Sequence, residues 1–124
     1  MTQAISRPEL EADLARATTR VFSVYFGRGP ASAQAQVSED FVFVATEGVL
    51  TRAEHALIAA GEDGVVRRLR FGFEDVMTNE FVSAVEAIVG RTVVAYHSQI
   101  FLERDGALEL FVLDPTGATP SSPP

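Results

Sequence analysis

The chain has 124 residues, 47% of them hydrophobic and 22% charged, with a net charge of −7 at neutral pH. That length holds one domain with a core of its own. No apolar run approaches the roughly 20 residues a membrane helix needs, and the acidic balance speaks against nucleic-acid binding, which asks for a surplus of Lys and Arg.

With no cysteine in the chain, neither a disulfide nor a thiolate zinc site can form. The stretch from Met1 to Ala17 lacks a basic region followed by an apolar one, so no secretory signal is expected and the cytoplasm is the expected compartment. All ten basic residues are arginine, a bias that fits a GC-rich genome and also supplies the better bidentate anion ligand.

Ser6-Arg7-Pro8-Glu9 reads as a capping box with proline in the first turn, where its missing N–H costs nothing. A helix is predicted from about residue 7. Leu10, Leu14, Ala17, Val21 and Val24 recur at helical steps and form its buried stripe, and Gly27 supplies the left-handed residue that ends it. From Ala31 to Glu47 the pattern turns strand-like. Residues 32–37 make a polar strand, Val37 to Phe41 a turn, and Phe41-Val42-Phe43-Val44-Ala45 a strand apolar on both faces. Such a strand belongs in the interior of a sheet, or under a partner chain.

Thr51-Arg52-Ala53-Glu54 repeats the capping box and opens a short helix closed by Gly61. A longer helix follows, with Val66, Leu69, Phe73, Val76, Met77, Phe81, Ala84, Val85 and Ile88 as its apolar face and Gly90 as its cap. Gly72, inside it, marks either a close packing contact or a break at 71–73. The last two strands flank Asp105-Gly106, the preferred dipeptide of a two-residue type I′ hairpin.

The expected fold is a single α+β domain over residues 7–114, in the order α-β-β-α-α-β-β. An antiparallel sheet of about four strands carries helices on one face. Residues 1–6 are expected to be flexible and the Pro/Ser-rich tail 115–124 disordered. A sheet covered on one side leaves an apolar face, so a homodimer is expected.

Three stretches, in this order, carry a resemblance. Tyr25 precedes Gly27-Arg28-Gly29-Pro30; Gly48-Val49-Leu50-Thr51-Arg52-Ala53-Glu54 follows; Val66-Arg67-Arg68-Leu69-Arg70 then leads into the long helix. Over about residues 7–114 the chain resembles the MpsC family, once listed as a domain of unknown function. The family is now named for the C component of a Na+-translocating membrane-potential-generating system. The resemblance implies a soluble partner or regulator of a membrane ion-transport system, with a transporter component as a possible partner. It brings no catalytic residue with it.

Among candidate site residues, Gly27, Arg28 and Gly29 form a tight corner that is either purely structural or an anion contact. It lacks the spacing of a nucleotide-binding P-loop. Arg67, Arg68 and Arg70 are the one dense basic cluster, near the amino end of the long helix where cations oppose the helix dipole. Two readings compete for them: pairing with Glu62, Asp63 and Glu74, or a small-anion or nucleotide sensor site that Arg67 and Arg70 complete with Arg28.

His55 and His97 have no partner at metal spacing, so no metal or cofactor is expected. His97 alternates with Tyr96 and Ser98 and, with Gln99, makes a polar stripe that can line a groove. No serine-nucleophile signature is present and cysteine chemistry is impossible. The expected role is therefore a non-enzymatic accessory or regulatory module acting through protein–protein contact.

Overall fold

Ser6 caps the first helix as the sequence asks. Its hydroxyl oxygen accepts from the Glu9 backbone N–H at 3.3 Å, and α1 runs Arg7–Phe26 until Gly27, at φ +76°, ends it. The computed structural model describes residues 6–117 and 119, so the expectations of flexible ends at 1–6 and 115–124 fall largely outside them. After α1 come β1 (Ser32–Val37), β2 (Phe41–Glu47), α2 (Arg52–Ala59), α3 (Asp63–Gly72), α4 (Glu74–Val89), β3 (Val93–Phe101) and β4 (Gly106–Leu113).

The four strands form one antiparallel sheet in the order β1-β2-β4-β3, which places β2 in the interior. Because strand side chains alternate, each strand sends one set under the helices and the other to the open side. Val42, Val44 and Thr46 go under, with Ala107, Glu109, Phe111 and Leu113 beside them on β4, all buried. α1 and α4 pack together over this layer and contribute Leu14, Val21, Phe22, Met77, Phe81 and Val85 to the core. On the open side Leu110 stands between Phe43 and His97, and Leu108 between Ala45 and Gln99.

The expected long helix is two helices. α3 stops at Gly72 and α4 starts at Glu74, with Phe73 between them at φ −91° and ψ −6°. A Cβ on Gly72 would meet nothing within 4 Å, so the glycine marks the break rather than a packing contact. The break also reverses an electrostatic expectation: Arg70 sits in the last turn of α3, where a cation complements the helix dipole.

Three residues expected in apolar stripes face solvent instead. Val24 is 70% exposed, Leu69 43% and Val76 50%. On α1 the buried line runs through Leu14, Thr18, Val21 and Phe22, and Thr18 fits because its hydroxyl donates to the Leu14 carbonyl at 2.9 Å.

The last hairpin also departs from expectation. Its connection is Leu102–Asp105, four residues rather than two, with Asp105 at φ +52°. Gly106 is the first residue of β4, and a Cβ there would stand 2.9 Å from the Thr46 carbonyl oxygen. Glycine is required by that approach, not by a type I′ turn.

Candidate functional site

The link from β2 to α2 explains the arginines. Val49 and Leu50 are apolar and buried, so their backbone carbonyls are carried inside with them and need partners. Arg28 Nη1 donates to the Leu50 carbonyl at 2.9 Å, and Arg70 Nη2 donates to the Val49 carbonyl at 2.9 Å. The Gly-Arg-Gly-Pro corner and the basic cluster thus meet at two successive peptide groups. Gly29 lets the corner lie flat against α1, since a Cβ would come within 2.8 Å of the Thr19 Cγ2 and 3.0 Å of the Ser23 hydroxyl. From the other side Asp105 Oδ1 accepts the Leu50 N–H at 2.7 Å, and its Oδ2 lies 3.0 Å from His55 Nε2.

Arg70 does more than hold a carbonyl. Its Nε and Nη2 each reach a carboxylate oxygen of Glu54 at 2.6 Å, and its guanidinium carbon lies 3.7 Å from the centre of the Phe26 ring. Glu54 closes the capping box as well, Oε1 accepting the Thr51 N–H at 2.8 Å. Burial alone would raise the Glu54 carboxyl, but the Arg70 fork and Thr51 outweigh it and hold the group below its ordinary range. The partner of Arg70 is therefore Glu54, on another helix, in place of the expected Glu62, Asp63 or Glu74.

Arg67 stands one turn from Arg70 and lines an open-mouthed cavity of about 290 Å³ between α1, α3, α4 and the covered face of β3 and β4. Phe22, Phe26, Phe71 and Phe81 form much of its wall, and Glu74 and Arg67 bring charge to it. Phe22 and Phe81 meet edge to face at 5.6 Å, a preferred aromatic geometry that stiffens this side. Facing them from the sheet is Glu109, whose Oε1 accepts from the Tyr96 hydroxyl at 2.5 Å. The other oxygen, Oε2, is buried and, among the described residues, has no hydrogen-bond partner.

Desolvation pushes the Glu109 carboxyl above its ordinary range, only partly offset by the Tyr96 hydrogen bond and the Ser98 hydroxyl on the neighbouring strand. Burial also raises the Tyr96 phenol, with the neighbouring Glu109 charge adding to it.

The family model for the Na+-translocating membrane potential-generating system (MpsC) matches residues 6–115. The chain belongs to the MpsC family. The match covers nearly the whole chain, as the three stretches around Gly27, Gly48 and Arg67 imply. No curated protein and no solved structure matches the chain. Among the described residues, no helix of this MpsC-family chain is long and apolar enough to cross a membrane.

Of the six residues proposed for a site in this MpsC-family chain, Arg28 and Arg70 converge on the Val49–Leu50 link, while Gly27 caps α1 and Gly29 packs the corner against that helix. Arg67 turns to the cavity instead, and His97 lies on the opposite side of the sheet, exposed beside Leu110. Sequence reasoning missed Glu109. The signal was present in Ala107-Leu108-Glu109-Leu110-Phe111, where alternation puts a lone acid on the same strand face as Ala107, Phe111 and Leu113.

Proposed function

We propose that this MpsC-family chain is a non-enzymatic accessory module of the Na+-translocating system, working by protein–protein contact as a homodimer joined through the open face of its sheet. The observation that carries the reading is the make-up of that face. Phe41 and Phe43 are 42% and 39% exposed, and they adjoin Val112 and Leu110 across β4. Soluble monomers rarely leave a contiguous apolar surface of this kind bare.

A second copy suits it for an electrostatic reason. At a net charge of −7, most surfaces of this protein repel their own kind. The strand residues on the open face are Ser, Gln, Phe, Ala, Leu, Val and His, with Glu47 the one acid, at the end of β2 and 3.7 Å from Arg104. Two copies related by a two-fold axis meet there without opposing carboxylates. The helical side then stays open, and at the α3–α4 corner Phe71 is 75% exposed. In this reading the module is cytoplasmic and reaches the membrane only through its partner.

Sedimentation velocity at micromolar concentration is the first test, with a dimer expected for the wild type and a monomer for Phe43→Glu. A monomeric wild type would remove the sheet face from the proposal. Copurification with a membrane component of the system tests the accessory role, and absence of any such component from the purified complex would count against it.

A further inference from the structure

Glu109 is 1% exposed in the middle of the sheet's covered face, flanked across the strands by Val44 and Ser98. An aliphatic residue there would complete the core. A buried carboxylate is costly unless each oxygen is satisfied. Here Tyr96 satisfies one, and among the described residues Oε2 has no partner.

The more buried of the two arginines that line the same cavity cannot serve, because Arg70 is already engaged by Glu54 and the Val49 carbonyl. Arg67 is exposed and, among the described residues, makes no ion pair. Two carboxylates, Glu74 and Glu109, therefore face one uncommitted guanidinium, and the balance of the cavity favours a cation. Its walls favour the same guest, since aromatic faces attract ammonium groups and accept apolar surface.

We propose that this cavity binds a small organic ammonium ion with an aromatic or aliphatic body. The nitrogen donates to Oε2 of Glu109, and the body lies among Phe22, Phe26 and Phe81. The cavity volume of about 290 Å³ sits at the small end of ligand pockets and admits a guest the size of a monocyclic amine. A charged nitrogen supplies the one hydrogen bond the buried carboxylate lacks, and a charge-assisted bond is roughly twice as strong as a neutral one. An inorganic cation fits less well, because among the described residues no three acidic or histidine side chains converge. The site lies on the helical side of the sheet, opposite the joining face, so the two readings stand or fall separately.

Three probes of one shape decide the matter: 2-phenylethylammonium, 2-phenylethanol and 3-phenylpropionate, titrated by calorimetry into the full chain at about pH 8. The ammonium is expected to bind saturably and most tightly, and to raise the melting temperature by mass action. Glu109→Gln keeps the Tyr96 contact and is expected to fold, yet to bind the ammonium at least tenfold more weakly.

Location has its own readout. The chain has two methionines, Met1 and Met77, and Met77 lines the cavity. Its ¹³C-methyl resonance should shift on titration. No binding by any probe, equal or tighter binding of the alcohol or the carboxylate, unchanged affinity in Glu109→Gln, or a silent Met77 methyl would each overturn the proposal.

Discussion

Glu54 and Glu109 are both 1% exposed, and the protein treats them in opposite ways. Glu54 faces a guanidinium held in a two-pronged grip and also caps a helix, so its charge is matched within its own neighbourhood. Glu109 has a phenol on one oxygen and nothing on the other. The first is built from parts that leave no capacity over, which marks a structural ion pair. The second keeps an unfilled hydrogen-bonding position beside a cavity, and buried groups left so are candidates for function. Burial alone does not separate the two; the inventory of partners does.

The largest effect is expected from breaking the complete pair. Glu54→Ala strands Arg70, whose side chain is 9% exposed, and removes a capping-box contact. Losing one partner of a buried pair typically costs about 3–5 kcal/mol, and urea denaturation should register a loss of that order. Simultaneous Glu54→Leu and Arg70→Met should recover part of it, because no charge is then left inside.

The pair also sets a pH dependence. The folded Glu54 carboxyl lies below its ordinary 4.5, so the unfolded chain takes up its proton first as pH falls. The stability Glu54 contributes is full above 4.5 and is lost as pH drops through the folded value. A Glu54→Gln chain should lack that acid-side decline in its urea midpoints.

Tyr96→Phe comes next. It removes the one donor to Glu109 and leaves both carboxylate oxygens bare. A buried group stripped of its partner costs roughly 1–3 kcal/mol, so a loss in that range is expected near pH 8. The loss should shrink as pH falls through the raised Glu109 value, because the protonated carboxyl carries no charge to satisfy. An equal loss at every pH would mean that the hydroxyl acts through packing alone.

How far the sequence foretold this arrangement depends on the range of the interaction. Ser6, Gly27, Thr51 and Gly90 act within a turn of their own helices, and the structure places them as caps where local pattern reading does. The strands were legible because alternation and turn residues are local too. The break at Phe73 was not decided by pattern, since the apolar spacing runs on across it and only tertiary packing chooses between a bend and a straight helix.

Arg70 shows the same limit. Its nearby acids in sequence were the obvious partners, but Glu54 is sixteen positions away and reaches it through the fold of α2 against α3. Arg28 and Arg70 donate to successive backbone carbonyls, those of Leu50 and Val49. What draws them is a buried backbone link, whose need for donors follows from Val49 and Leu50 being apolar between a strand and a helix cap. Glu109 had a signal in its strand register, but a single acid in an apolar run carries little weight until the cavity beside it is seen.

The smallest effect separates the two carboxylates by sign. Glu109→Gln keeps an oxygen for Tyr96 to donate to and removes a charge that burial disfavours. A site kept below its stability optimum responds to such a change with a gain, here about 1 kcal/mol near pH 8. The folded Glu109 carboxyl titrates above the ordinary 4.5, so as pH rises past that value the unfolded chain releases its proton first and the wild type loses stability relative to the variant. The advantage of Glu109→Gln should therefore grow with pH and close at about 4.5, the reverse of the Glu54 profile. Paired urea midpoints from pH 4 to pH 8 would show it. A variant less stable than wild type across that range would mean that Glu109, like Glu54, is a structural carboxylate whose charge the fold needs.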